Sequence, residues 1–504
     1  MLPPLARLPE LKGLIDQRGY FVIHAPRQTG KTTAMMALAQ DLTASGQYTA
    51  IVLSMETGAA YPHDSEQAQK YILRDWILTT KVVLPPDLQP PKIADIQAEM
   101  GLPEVDLKVM LQGWVLASPR PLVIFLDEID SLENETLITV LRQLRSGYPH
   151  RPHGFPYSLA LIGVRDVRDY KVASGGSPRL STASPFNIKI ESLTLGNFSQ
   201  TEVAALYQQH TEATGQVFEP KAIEYAFELT QGQPWLVNAI ARQLVEVLVC
   251  DRHEPITVEA VNQAKELIIR RQETHLDSLM KRLREPTVQA VFEPMLSGDE
   301  LGDVLEDDRQ LLLDLGLVRR NPNGGLIVAN SIYQEIIPRV LASGPQDSLP
   351  SISPSWLNVD GELVPMKLLD GFLGFWRQHG EPLLKSAPYH EIAPHLVMMA
   401  FLHRVVNGGG SLDREYAIGA GRMDLCLRYG TVTIGMELKV WRDRKPDPIK
   451  KGLPQIDRYL AGLGLDEGWL VIFDRRSDLV PIEDRTTTET AVTSEGRTIT
   501  IIRG

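Results

Sequence analysis

The stretch "VIHAPRQTGKTT" (Val22–Thr33) decides how the first half of this chain is read. An apolar strand runs into a short polar loop, and the loop opens a helix. The phosphate-loop pattern G-x-x-x-x-G-K-[ST] maps onto residues 25–32, with Ala25 in place of the first glycine. The physics survives that change. Backbone N–H groups of the loop, including those of Arg27, Gln28 and Thr29, and the N-terminus of the following helix, around Thr33, can hold phosphates. Gly30 permits close backbone approach, Lys31 reaches the β- and γ-phosphates, and Thr32 offers a hydroxyl to Mg²⁺. The bland alternative is a strand-turn-helix with a chance Gly-Lys-Thr, but strand and helix stand where the motif requires them.

A second stretch, "PLVIFLDEID" (121–130), is an apolar strand that ends in adjacent carboxylates. In an ATPase, Asp127 would hold Mg²⁺ through water and Glu128 would polarise the attacking water. The next strand, in "YSLALIGVRD", carries Arg165 at its end, either as a γ-phosphate sensor or as a surface arginine. Around these motifs, strand-like segments ("YFVIHA", "YTAIVLSM", "PLVIFLDE", "YSLALIGV", "FNIKIESL") alternate with amphipathic ones. That is the α/β pattern of a mostly parallel sheet. "LPPDLQPPKIADIQAEMGLP" (84–103) and "SGGSPRLSTASP" (174–185) are expected to be inserted loops.

Composition bounds the rest. The chain has 504 residues, which suggests two to four domains, and 43% hydrophobic with 23% charged residues is ordinary for a soluble globular protein. No uninterrupted apolar run approaches about 18 residues, so no spanning helix and no membrane association are expected. The start, "MLPPLARLPELKGL", reads as a surface segment rather than a signal peptide. Cys250 and Cys426 are the two cysteines. They make no disulfide framework, and a cytoplasmic location is expected. The net charge of −12 argues against broad coating of nucleic acid. A local exception is the run from Lys439 to Lys451, where Lys439, Arg442, Arg444, Lys445, Lys450 and Lys451 face Asp443 and Asp447.

The organisation expected is a P-loop core at 1–196, a helical lid at 197–284, a winged-helix-like unit at 285–342, a Ser/Pro-rich linker at 343–355 and a second α/β unit at 356–504. "SQTEVAALYQQHTEATGQ" (199–216) has a Ser/Thr start signal and a Gly stop. "LLLDLGLVRRNPNGGLIVANSIYQEIIPRVL" (311–341) has the outline of a winged helix. Only Arg319 and Arg320 flank its wing, and "DELGDVLEDDRQ" before it is acidic. Protein packing therefore suits it better than DNA reading.

Residues 20–342 resemble the AAA-like and STAND-type P-loop ATPases, through "APRQTGKT", "VIFLDEID" and "GQPWLVNAIARQL". The resemblance implies ATP and Mg²⁺ as cofactors, nucleotide-driven rearrangement, and self-assembly into a homo-oligomer through the ATPase domain. It places Pro234 near the adenine and offers Arg242 as a lid sensor, although "GQPWLVNAIA" is also a plain capped amphipathic helix.

The last stretch to read is "GRMDLCLRYGTVTIGMELKVW" (421–441). Glu-x-Lys occurs at Glu10/Lys12, Glu219/Lys221 and Glu437/Lys439, so the tripeptide alone carries nothing. A hairpin turning at Tyr429-Gly430 would pair Leu427 with Val432, Leu425 with Ile434 and Met423 with Met436, giving one apolar face. The other face would carry Asp424, Gly435, Glu437 and Lys439. Asp424 would lie diagonal to Glu437, close enough to share a divalent cation, with Lys439 beside it to orient or help deprotonate a water. A merely solvated face is the alternative. "LPQIDRYL" then presents Gln455, and "GWLVIFD" reads as a further buried strand.

This order resembles the PD-(D/E)XK nuclease superfamily, a restriction-endonuclease-like α/β fold, over about residues 385–475. The resemblance implies Mg²⁺ or Mn²⁺ at Asp424 and Glu437. It also offers Glu391, in "YHEIAPHLVMMAFLHRV", as another ligand, or else as a first-turn charge favouring the helix dipole. The function expected is a nucleotide-regulated nuclease acting on nucleic acid at the C-terminal domain. Such fusions imply roles in defence against foreign nucleic acid or in mobile-element biology, though no residue displays that role. The alternative is a STAND-like switch whose C-terminal domain binds nucleic acid or protein without cutting.

Overall fold

A computed structural model describes residues 4–165, 186–271, 282–283, 285–297, 304–322, 324–337, 341, 355–386, 393–406, 410–417, 422–477 and 479–504. The expected insertion at 174–185, the linker at 343–354 and Glu391 lie outside them. The chain divides into two compact units: Met1–Ala264 with Asp314–Gly316, and Lys265–Leu313 with Leu317–Gly504.

In the first unit, helices α1 (Pro4–Arg7) and α2 (Glu10–Asp16) precede β1 (Tyr20–His24). Then come α3 (Lys31–Ala44), β2 (Thr49–Ser54), α4 (Ser65–Val83), α5 (Ile93–Met100), α6 (Leu107–Ala117), β3 (Leu122–Asp127), α7 (Asn134–Gly147), β4 (Ser158–Gly163) and β5 (Glu191–Thr194). The strands form one sheet in the order β2-β3-β4-β1-β5, and its pairings are parallel. Both faces are covered, as continuous apolar strands require. Tyr20, Val22, Ile124, Leu126 and Leu161 enter one core with Trp76 and Trp114. Phe21, Ile23, Val123, Phe125 and Ile162 enter another with Met35 and Leu38 of α3. Alternation of side chains along each strand splits them this way.

Two expectations change here. Only the last three residues of "FNIKIESL" are extended, in the strand Glu191–Thr194. The segment at 84–103 is not all loop, because Ile93–Met100 is helical and closes at Gly101 with φ 65°. Ile96 is buried against the bare backbone of Gly113 in α6, where a Cβ would lie 3.0 Å from it. That packing holds a short helix which the surrounding prolines hid.

Helices α8 (Gln200–Thr214), α9 (Pro220–Thr230), α10 (Pro234–Gln243) and α11 (Val258–Arg271) follow. The capping box of Ser199 and Glu202 starts α8, and Gly215 at φ 80° stops it. The second unit includes α12 (Pro286–Ser297), α13 (Glu306–Asp314) up to Leu313, and the hairpin β6 (Val318–Arg320)–β7 (Leu326–Val328). Its larger part has α14 (Pro365–Ser386), α15 (Ala393–Val406), β8 (Gly410–Ala417), β9 (Arg422–Tyr429), β10 (Val432–Trp441), α16 (Ile449–Leu463), β11 (Glu467–Asp474), β12 (Thr487–Val492) and β13 (Thr498–Arg503).

These six strands form a mixed sheet, β12-β13-β11-β10-β9-β8. β8, β9 and β10 are antiparallel neighbours, whereas β10, β11 and β13 run parallel. Helix α16 covers one face through Ile456 and Leu460, which pack on Leu470, Ile472 and Ile501. Trp376 of α14 and His395 of α15 meet Phe473 on the other. The contact with α16 needs bare backbone, since a Cβ on Gly435 would lie 2.7 Å from Leu460. Gly435→Val should therefore overpack this seam and cost about 1–3 kcal/mol. A thermal melt should show the second unit's transition falling while the first unit's stays in place.

Candidate functional site: a nucleotide cleft and a carboxylate-lysine strand

The phosphate loop leaves β1 at Ala25, whose N–H donates to Gly163 O of β4 at 3.2 Å. Ala25 is buried and needs no glycine, because the left-handed positions of the loop are Gln28 (φ 60°) and Gly30 (φ 84°). Thr29 is buried, and its hydroxyl donates to Pro26 O at 2.9 Å. Lys31 folds over the loop and donates to Ala25 O at 2.8 Å and Pro26 O at 2.9 Å. Burial of its ammonium lowers its pKa, opposed by the charges of Asp130 and Asp127.

Next to it, the Thr32 hydroxyl donates to Asp127 Oδ2 at 2.5 Å. The other Asp127 oxygen accepts the Glu128 N–H at 2.9 Å. A hydroxyl and a carboxylate meeting at the end of a buried strand are hard oxygen donors, which fit Mg²⁺. Glu128 sits at φ 55°, a left-handed conformation that costs a non-glycine residue on the order of 1–3 kcal/mol. The turn re-aims its side chain into a cleft of 410 Å³ shared with Arg27, Gln28, Lys31, Thr33, Asp127 and Glu56. Desolvation, with the nearby carboxylates Glu56, Asp127 and Asp130, pushes the Glu128 carboxyl up to about 7.

A second cleft of 410 Å³ adjoins through Gln28, Gly30 and Thr33 and is lined by Arg7, Phe198, Pro234, Trp235 and Asn238. Pro234 is the first residue of α10, and Gln233 caps that helix by accepting Leu236 N–H at 2.6 Å. Gly232 before it is required, since it has φ 70° and a Cβ there would sit 1.8 Å from Phe198 O. Arg7 lies over the Phe198 ring, 4.6 Å from its centroid, and donates to Gly196 O at 2.6 Å. An aromatic and aliphatic slot beside a phosphate loop is suited to a purine base.

Two other expected residues stand apart from these clefts. Arg165 is half-buried just beyond β4, where Gly163 and Val164 line the phosphate side and Arg165 does not. Arg242 is exposed on α10 and pairs with Glu246 at 2.9 Å. Glu56, Phe198 and Trp235 are cleft residues that sequence reading passed over. Trp235 stood in a stretch already singled out, and Glu56 just beyond a strand-like one.

In the second unit the hairpin register differs from expectation. Tyr429 pairs with Val432, Leu427 with Ile434, Leu425 with Met436, and Glu437 directly with Asp424. The turn is Gly430-Thr431, because the residue at positive φ (Gly430, 57°) takes the first loop position. The shift is two residues, so the faces are kept and Gly435 no longer stands opposite Asp424. Positions 424 and 437 share one face of the sheet, although the Asp424 side chain is outside the described residues. Glu437 is fully buried and pairs with Lys439 Nζ at 2.5 Å. Gln455 projects from α16, the helix over this same face, and its Oε1 is buried with no hydrogen-bond partner among the described residues. Among those residues no group of three or more His, Cys, Asp or Glu side chains is placed to hold a metal ion. No helix among them is long and apolar enough to cross a membrane.

A family profile for an AAA-like domain matches residues 10–337. The chain belongs to this AAA-like family, and its N-terminal part is a nucleotide-binding P-loop ATPase. Among solved structures, the Holliday junction branch migration motor RuvB of Thermotoga maritima is similar at 17% identity with a TM-score of 0.35. That match covers 66% of this chain and 92% of RuvB. A substituted form of the same motor matches at 17% identity and a TM-score of 0.34, over 66% of this chain and 92% of that one. No curated protein is significantly similar in sequence.

The raised Glu128 pKa sets a pH signature. A carboxyl whose folded pKa lies above its unfolded value weakens the fold as pH rises from about 4.5 to about 7. Glutamine carries no such penalty. Glu128→Gln should match the wild-type melting temperature below this window and exceed it above, in melts taken across the range without nucleotide.

Proposed function

We propose that this protein is an ATP-regulated, metal-dependent nuclease, with the first unit as the switch or motor and the second as the cutting domain. One observation carries the nuclease reading: Glu437 stands directly opposite Asp424, with Lys439 two residues on, on the sheet face that α16 and Gln455 cover. Directly opposed carboxylates on antiparallel strands repel each other, and a shared cation removes the repulsion. Asp424 and Glu437 would hold Mg²⁺ or Mn²⁺, which when bound polarises a phosphodiester oxygen and acidifies water. Lys439, held at 2.5 Å from Glu437, would orient that water and stabilise negative charge on the phosphate. Gln455 offers an amide to the same region. The sheet with α14, α15 and α16 supports a restriction-endonuclease-like reading of residues 356–504.

At the ATPase site, Lys31 would leave the loop carbonyls for the β- and γ-phosphates. Thr32 and Asp127 would hold Mg²⁺, which when bound neutralises phosphate charge. Glu128, as carboxylate, would orient the attacking water. The slot of Phe198, Pro234 and Trp235 would take the adenine. Assembly into a homo-oligomer through this domain belongs to the same reading.

The STAND-like switch without cleavage is favoured by a different observation. Glu437 is closed off from solvent against Lys439, which suits a site that binds more than one that turns over.

The two activities separate by mutation. Lys31→Ala should abolish ATP binding or hydrolysis, and Glu128→Gln should keep binding while stopping turnover. Normal hydrolysis in both would remove ATPase chemistry from these residues.

For the second unit, labelled single- and double-stranded DNA and RNA should be incubated with Mg²⁺ or Mn²⁺, with and without ATP. Asp424→Ala and Glu437→Ala should abolish cleavage, while Lys439→Ala should slow it by about 10²-fold or more with metal binding retained. No cleavage by the wild-type protein under any of these conditions would leave the switch reading in its place.

A further inference from the structure

β10, β11 and β13 run parallel, so their carboxyl ends share one edge of the sheet. The segments that leave this edge are unusually basic. Arg442, Arg444 and Lys445 follow β10, Lys450 and Lys451 open α16, and Arg475 and Arg476 follow β11. Only the first five were legible as a run. The fold adds Arg475 and Arg476 from a segment thirty residues further on.

The acidic residues on this edge are turned to internal use. Asp443 accepts the Ser477 N–H at 3.0 Å and the Ser477 hydroxyl at 2.5 Å. Those bonds hold its carboxyl below the usual range. Asp474 takes a forked pair of bonds from Arg476, at 2.9 and 2.6 Å. Asp447 pairs with Arg503 at 3.0 Å. Trp441 links the two segments, because the Arg476 guanidinium lies 3.5 Å from its ring centroid and the Arg475 N–H donates to its carbonyl at 2.8 Å. Arg476 and Arg503 are thus spent on holding the edge together. Arg444, Lys445, Lys450, Lys451 and Arg475 are left exposed on it. Arg444 sits at φ 60°, a conformation such a residue keeps only where the loop imposes it.

We propose that this rim binds the phosphate backbone of a nucleic acid and leads it to Glu437 and Lys439. Lys439 and Trp441 are two residues apart on one face of β10, so the rim begins about 7 Å from the lysine. The five exposed cations come from two tied segments, in a chain whose net charge is −12. A preorganised cluster of this kind suits a repeating phosphodiester chain, whose charges recur every few ångströms. The proposal rests on the nuclease reading for its direction but concerns binding alone.

The test is fluorescence anisotropy of the full chain with labelled DNA and RNA oligonucleotides, single-stranded and duplex, in EDTA, across about 50–200 mM salt. Wild-type protein should bind at least one of them. Arg444→Ser, Lys445→Ser and Arg475→Ser together should weaken that binding about tenfold or more, and flatten the log–log salt slope by about 2–3. The second unit's thermal transition should be unchanged in this variant, which shows that the substituted unit is folded, and ATP hydrolysis by the first unit should be unchanged as well. Unchanged affinity and slope overturn the proposal, as does absence of binding by the wild type. Polyglutamate displacing the oligonucleotide as well as unlabelled DNA would overturn it in favour of an acidic protein partner. Binding lost in the variant, with no cleavage by the wild type in Mg²⁺ or Mn²⁺, leaves the rim standing and removes only the nuclease.

Discussion

The hydrogen bond from Thr32 to Asp127 closes the first unit beside its phosphate loop. It joins the first turn of α3 to the end of β3, residues 95 apart in sequence. The same aspartate accepts the next residue's N–H through its side chain, and its backbone carbonyl accepts Met55 N–H at 2.9 Å. The loop before α3, the turn after β3 and the exit of β2 are therefore positioned from one residue. Asp127 is buried, so each of these bonds operates at reduced dielectric, and an unmatched carboxylate there would be costly.

The second unit uses a different constraint. Its candidate site lies on a sheet face covered by a helix, so its polar groups are enclosed by packing from the start. Gly435 and Gly468 let α16 approach so closely that Leu460 reaches into the space a side chain would take. Two positions further along β10, Glu437 stands beneath this cover. On the opposite face His395 is buried, and desolvation with the charges of Lys439 and Arg442 pushes its imidazole down to about 3. It stays neutral at ordinary pH, and the positive charge near this strand is left to Lys439 and the arginines.

Much of this was legible because the decisive signals are local. The strand, loop and helix of residues 20–44 are contiguous, and the apolar run ending at Asp127-Glu128 marks a buried strand by itself. The hairpin was legible in parity but not in register. Alternation fixes which residues share a face, whereas the position of the turn depends on which loop slot needs positive φ, and Gly430 took the first. What escaped reading depends on distant partners. Glu56 faces Glu128 across two strand ends, Phe198 enters the nucleotide cleft because Gly232 leaves room for its carbonyl, and Arg475 joins a basic edge only through parallel pairing of β10 and β11. The helix at Ile93–Met100 was masked by its flanking prolines and is held by Ile96 against Gly113.

The resting position of Lys31 has a consequence for what can occupy the phosphate loop. Its ammonium is satisfied by the carbonyls of Ala25 and Pro26, so an incoming anion competes with the protein's own backbone for that charge. A lone inorganic phosphate brings one cluster of oxygens and has to displace both bonds with it. On the proposed placement of the base in the slot of Phe198 and Trp235, a nucleoside triphosphate would reach the lysine already anchored, and that binding would offset the exchange. On that reading the loop would discriminate by length of ligand, favouring a triphosphate with a second point of attachment over small anions that share its charge but lack that attachment.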